Sequence, residues 1–136
     1  MASAGYSGSA LIKKLGIRPA MKVLVIHAPE NYFQLLESDI TDQYCSAKQS
    51  PDLIHLFAKD NRVFESEMKK ILAFCKKNRS VIIWISWYKK SSGMATAITE
   101  DTIRNFALQH ELVDIKVCAV SNEWSGLKLV VPVAKR

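Results

Sequence analysis

Two ammonium groups, two hydroxyls and a glycine follow one another at Lys89, Lys90, Ser91, Ser92 and Gly93. Such a run supplies hydrogen-bond donors, positive charge and flexible backbone amides, an inventory suited to a phosphate or a carboxylate. It is not a P-loop, whose lysine follows the second glycine and leads straight into a helix. The alternative reading is a solvated loop whose serines satisfy local turns. His27 and Glu30 lie three residues apart across Pro29, close enough for an acid/base pair, although a general base also needs a substrate pocket beside it. Trp87 precedes the lysines and either stacks on a planar ligand or covers the end of the sheet. Trp124 either anchors a partner or folds back onto the core. GxSxG, HExxH, CxxC and dinucleotide GxGxxG patterns are all missing from the sequence, so hydrolase, zinc-protease and nicotinamide chemistries have no support.

The lysine–serine loop is delivered by residues 81–88, a continuous Val/Ile/Trp run of strand length. An apolar run without in/out alternation is what a parallel sheet covered on both faces requires. Residues 22–27 (KVLVIH) predict an earlier strand buried on both faces, and 52–58 (DLIHLFA) another. Helices are predicted over 9–15, with Ser9 as cap and Gly16 as left-handed stop, and over 30–37, with Pro29 in its first turn. A third is expected over 62–77, where Phe64, Met68, Ile71, Leu72 and Cys75 form one stripe and Asp60 or Asn61 caps. A fourth opens at Thr99, with Ile103, Phe106, Ala107 and His110 on its inner side, and His110 is expected to end it as a C-terminal cation or polar cap. Residues 43–46 suggest a short strand, and the five residues 47–51 span at most about 17 Å, too little for a helix. The last strands, 114–121 and 127–133, are joined by NEWSG, with Gly126 available for a positive φ. Pro132 places the end of the final strand at an edge or bulge. His55, mid-strand, is expected buried and hydrogen-bonded. Trp84 and Trp87 point to opposite faces, and the lysine pairs at 69–70 and 76–77 form a solvated helix face.

In an open parallel sheet, ligands bind beyond the carboxyl ends of the strands. That rim is expected to carry His27, Glu30, Asn31 and Lys59 from the first two strands. The third adds Trp87, Lys89, Lys90, Ser91 and Ser92.

A chain of 136 residues makes one domain, long enough to bury a core without disulfides or metal. Cys45, Cys75 and Cys118 are odd in number and far apart, which suits apolar-side thiols rather than a disulfide framework or a zinc site. Nineteen basic against thirteen acidic residues leave a net charge of +6. This favours anionic partners weakly and is too modest to carry nucleic-acid binding. The first twenty residues lack the apolar core of a signal peptide, and no apolar run is long enough to span a membrane. The expectation is a soluble, cytoplasmic protein.

The stretches KKLGIRPAMKVLVI (13–26), DLIHLF (52–57) and VIIWISW (81–87), followed by a helix and a hairpin, resemble class I methyltransferases in reduced form. In those enzymes a glycine-rich loop after the first strand brings bare backbone to S-adenosylmethionine. Here that loop reads IHAPENY (26–32) and holds no glycine, and no ribose-binding acid stands near 44–46, so no cofactor is expected. More specifically, GYSG (5–8), KKLGI (13–17), HAPENY (27–32), SWYKKSSG (86–93) and VCAVSNEWSGLKLV (117–130) resemble a family of small bacterial proteins grouped as a domain of unknown function. The resemblance runs nearly end to end and implies a fold rather than an activity.

The expected architecture over residues 1–136 is α/β: one Rossmann-like three-layer sandwich, mostly parallel, with a C-terminal antiparallel hairpin. The expected function is a non-catalytic binding or regulatory domain whose rim recognises a small anion or an acidic protein. The alternatives are a divergent methyltransferase or other transferase using the same rim, and an interaction module acting through the hairpin around Trp124. Oligomeric state is left open.

Overall fold

A computed structural model describes residues 10–46, 48–94 and 96–136. The GYSG motif and the expected Ser9 cap lie outside the described residues.

The structure is a five-stranded sheet between two helical layers. Its strands are β1 (Val23–Ile26), β2 (Leu53–Phe57), β3 (Ile82–Tyr88), β4 (Val113–Ala119) and β5 (Trp124–Val130), in the order β1-β2-β3-β5-β4. β1, β2 and β3 pair in parallel, whereas β5 runs antiparallel to both β3 and β4. β5 is thus the one reversed strand, and the hairpin returns inside the sheet rather than extending it. β5 is therefore internal, and Pro132 lies just beyond its last ladder residue, where its missing N–H removes no pairing. β1 is an edge strand: Val23 is buried but Leu24, Val25 and Ile26 are only half-buried, not enclosed on both faces as its composition predicts. The strand expected at 43–46 shrinks to a single bridge between Val23 and Tyr44, after a 3₁₀ turn at Thr41–Gln43.

Alternation along the strands sends side chains to two cores. Ile54, Leu56, Ile83, Ile85 and Trp87 face α3 (Asn61–Lys77) and α4 (Glu100–Gln109), where Phe64, Met68, Ile71, Cys75, Ile103 and Ala107 are buried. Leu53, Phe57, Trp84 and Tyr88 face α1 (Leu11–Leu15) and α2 (Tyr32–Leu36). α1 is locked down by the Trp84 indole N–H, which donates to the Leu15 carbonyl at 2.9 Å. Gly16 ends α1 at φ 79°, a left-handed conformation that costs glycine nothing. α2 is shorter than predicted. It starts at Tyr32, with Pro29 outside it accepting the Tyr32 N–H through its carbonyl.

α3 is capped by Asp60, whose carboxylate accepts the Val63 N–H at 2.8 Å, worth about 1 kcal/mol. α4 opens on a reciprocal box between Thr99 and Thr102. His110 closes it as an exposed C-cap with its ring against Phe106, rather than joining the buried stripe. Gly126 does not use a positive φ. It sits in β5 opposite Ser86 and Cys118, where a Cβ would lie 3.0 Å from Val120 Cγ2 and 3.3 Å from Trp84 Cε3. The glycine is there because Val120 and the Trp84 indole already fill the space.

Candidate functional site

The carboxyl ends of the strands form two unlike halves. On the α1/α2 side the rim is filled by rings. Tyr32 and Phe57 meet edge to face at 5.4 Å, Phe57 and Trp124 at 5.0 Å, and Trp124 stacks on Tyr88 at 4.2 Å. Each such pair adds about 0.5–1.5 kcal/mol beyond its buried area. Trp124 is 4% exposed, so it folds back onto the core and offers no free ring to a partner. Beneath the rings His55 is fully buried, its Nδ1 2.8 Å from the Tyr32 hydroxyl and its Nε2 2.7 Å from Ser86 Oγ. Both hydroxyls can donate or accept, so a neutral imidazole of either tautomer is satisfied. Burial pushes the His55 pKa down to about 3 and the Tyr32 phenol up, which keeps both groups uncharged.

On the α4 side the rim is open. A cleft of about 680 Å³ lies between the end of β3 and the first turn of α4, lined by Trp87, Lys89, Lys90, Ser91, Thr99 and Ser125 among others. Its floor is rigid because β3 is central and the Lys89 N–H donates to the Glu123 carbonyl at 2.8 Å. The lysines then enter a 3₁₀ turn at Lys90–Ser92, closed by Gly93 at φ 79°. Ser92 is consumed by this turn: its hydroxyl donates to the Lys89 carbonyl at 2.6 Å and accepts the Met94 N–H. Ser91 is exposed. Neither Lys89 nor Lys90 forms an ion pair among the described residues. The carboxylates at the mouth are already engaged, because Arg104 binds Glu100, Asp101 and, across to β4, Asp114. The hydrogen bonds that Arg104 donates, to Glu100 first and then to Asp114, raise its pKa further above its ordinary value. The cleft therefore presents unpaired cations beside neutralised acids.

The residues expected from the first strand do not join it. His27 adopts φ 59° and places Nε2 3.0 Å from Glu67 of α3 rather than beside Glu30. The left-handed turn at His27 carries the ring towards α3 and away from Glu30. Glu30 and Asn31 are exposed, and Asn31 precedes α2 without a side-chain cap. Lys59 is exposed and contributes its carbonyl, which accepts the Thr96 hydroxyl at 3.3 Å. Trp87 is 7% exposed and covers the sheet's end within the α3/α4 core. The structure thus gathers Trp87, Lys89, Lys90 and Ser91, and leaves His27, Glu30, Asn31 and Lys59 outside the lining. Thr96, Thr99 and Ser125 enter it instead. Of these only Thr99 carried a signal, as a helix cap.

No helix among the described residues is long and apolar enough to cross a membrane, and no group of three or more His, Cys, Asp or Glu residues among them could hold a metal ion.

No protein-family model matches the chain, and no curated protein matches it. Solved structures do. One is a protein of the NADB-Rossmann superfamily from Streptococcus agalactiae, with TM-score 0.52 and 9% identity, the match covering 90% of this chain and 68% of that one. A second, from Streptococcus pneumoniae, is described as a candidate tRNA (m1A22) methyltransferase; its TM-score is 0.58 at 8% identity, over 90% of this chain and 70% of the other. A third, from Sulfolobus solfataricus, is described as a candidate type 11 methyltransferase, with TM-score 0.52 and 14% identity, over 85% and 87% of the two chains. At such identities what is shared is the fold, which is Rossmann-like and of the methyltransferase kind.

Proposed function

We propose that this methyltransferase-like fold serves as a binding or regulatory domain that takes a small anion, or the acidic group of a protein partner, in the cleft between β3 and α4. One observation carries the reading: Lys89 and Lys90 stand at an open cleft of about 680 Å³ without an ion-pair partner among the described residues, while the nearby acids are held by Arg104. Lys89, Lys90 and Ser91 make the contacts, and the turn fixed by Ser92 and Gly93 sets their direction. His27, Glu30 and Asn31 have no part in this version of the site, because they do not line the cleft. The test is titration of the labelled protein with pyrophosphate, followed through backbone amide shifts. Perturbations at Ser91, Gly93 and Met94 that vanish in Lys89→Ala/Lys90→Ala support the reading. Shifts that survive the double substitution, or never appear, remove it.

A divergent methyltransferase is the second reading, favoured by the kind of fold the neighbours share. Against it stand a loop at 26–32 without glycine and rings filling the α1/α2 side of the rim. Calorimetry with S-adenosylmethionine separates the two: micromolar binding revives the enzyme, and absence of heat together with absence of a thermal shift retires it.

A further inference from the structure

The sheet face beneath α1 carries a charge arrangement the fold does not need. Lys116 of β4 and Lys128 of β5 are direct cross-strand partners, and Lys128 is in turn paired with Trp84 of β3. Like charges directly opposite in an antiparallel pair are destabilising. Lys116 Nζ nevertheless lies 6.0 Å from the centre of the Trp84 ring, over the same face, and Lys128 is half-buried. Two residues beyond Lys116, half-buried Cys118 pairs with Gly126.

Lys14 of α1 and Lys89 at the end of β3 act on the Cys118 thiol together with Lys116, and Lys116 acts on Lys128. No carboxylate among the described residues contributes at either group. The elements packed here supply none: α1 is LIKKL, β5 is WSGLKLV, and the one acid of β4, Asp114, is held by Arg104. Burial first and the Lys116 charge second hold Lys128 below its ordinary value, whereas burial holds Cys118 above its own against the opposing pull of the lysines.

We propose that this face is a second site, separate from the β3/α4 cleft, and that it binds a small condensed-phosphate or similarly polyanionic group directly between Lys116 and Lys128. Cross-strand partners lie about 4.5–5.5 Å apart at Cα, which lets two lysine stems rising from neighbouring positions reach adjacent anionic groups of one ligand rather than separate points of a long polymer. Repulsion between Lys116 and Lys128 in the free protein is then relieved on binding.

Tripolyphosphate is the probe, and Lys116→Gln/Lys128→Gln the variant. The free variant is expected to melt no lower than the parent, since a repulsive pair has gone. Its calorimetric affinity for tripolyphosphate is expected to fall about tenfold or more, the scale of one or two charge-assisted hydrogen bonds. Lys90→Ala, which removes one contact of the β3/α4 cleft, keeps this affinity, so the two sites respond independently. Alkylation of Cys118 by iodoacetamide, located by peptide mass, slows with tripolyphosphate in the parent but not in the variant. The proposal is overturned if affinity is unchanged in the variant, or if the free variant melts lower, which makes the lysines packing elements. Binding of polyuridylate with no response to tripolyphosphate also overturns it, because the face would then belong to nucleic acid.

Discussion

Acid should unfold this protein through His55. The imidazole is fully buried between the Tyr32 and Ser86 hydroxyls, and burial lowers its pKa from 6.5 to about 3. The folded state therefore holds the neutral ring while the unfolded chain takes up a proton as pH falls through 6.5. A depressed histidine contributes stability that is fully present above the unfolded pKa and is lost progressively towards the folded one. The slope is about 1.4 kcal/mol per pH unit, so roughly 3 kcal/mol disappears between pH 8 and pH 4.5, a large share of the 5–15 kcal/mol typical of a domain. The control is His55→Gln, which can still hydrogen-bond to both hydroxyls but does not titrate. It should cost about 1–3 kcal/mol at neutral pH through imperfect hydrogen bonding, yet lose stability less steeply on acidification. Urea unfolding at half-unit pH steps measures both curves. Surface carboxylates such as Asp39 and Glu111, which are held low by hydrogen bonds, are common to both proteins and cancel in the difference. Parallel curves for parent and variant between pH 6.5 and 4.5 would refute the reasoning.

Gly126→Ala should destabilise by about 1–2 kcal/mol, because the new methyl meets Val120 at 3.0 Å and Trp84 at 3.3 Å and overpacking exceeds the gain from a stiffer unfolded chain; chemical denaturation that finds the variant more stable contradicts this. Trp124→Ala should cost about 3–5 kcal/mol by opening the ring cluster with Phe57 and Tyr88. It should also leave the light-scattering mass unchanged, since the indole is not exposed; a change in mass would restore the interaction role. Asp60→Ala should lose about 1 kcal/mol through the cap of α3, and amide exchange should rise first in residues 61–64.

The α3 stripe was legible because Phe64, Met68, Ile71 and Cys75 repeat at helical spacing and the helix packs as that spacing demands. The unbroken β2 and β3 runs announced burial on both faces because they lack in/out alternation, and His55 within β2 could only be buried and satisfied. The lysine–serine loop was visible by composition, but which of its hydroxyls was free was not: Ser92 differs from Ser91 only in where the turn points it.

Sequence order and residue type determined the elements, their polarity and the loop that follows the central strand, since those depend on neighbours within a few residues. Tertiary structure alone decided that β5 returns between β3 and β4, that His27 reaches Glu67 forty positions away, and that Trp84 seals Leu15 from sixty-nine. Only that folding-back closed one half of the rim with Trp124, opened the other beside α4, and set Lys116 opposite Lys128. Contacts between distant segments are chosen by how whole faces pack together, and no local pattern in the chain encodes that choice.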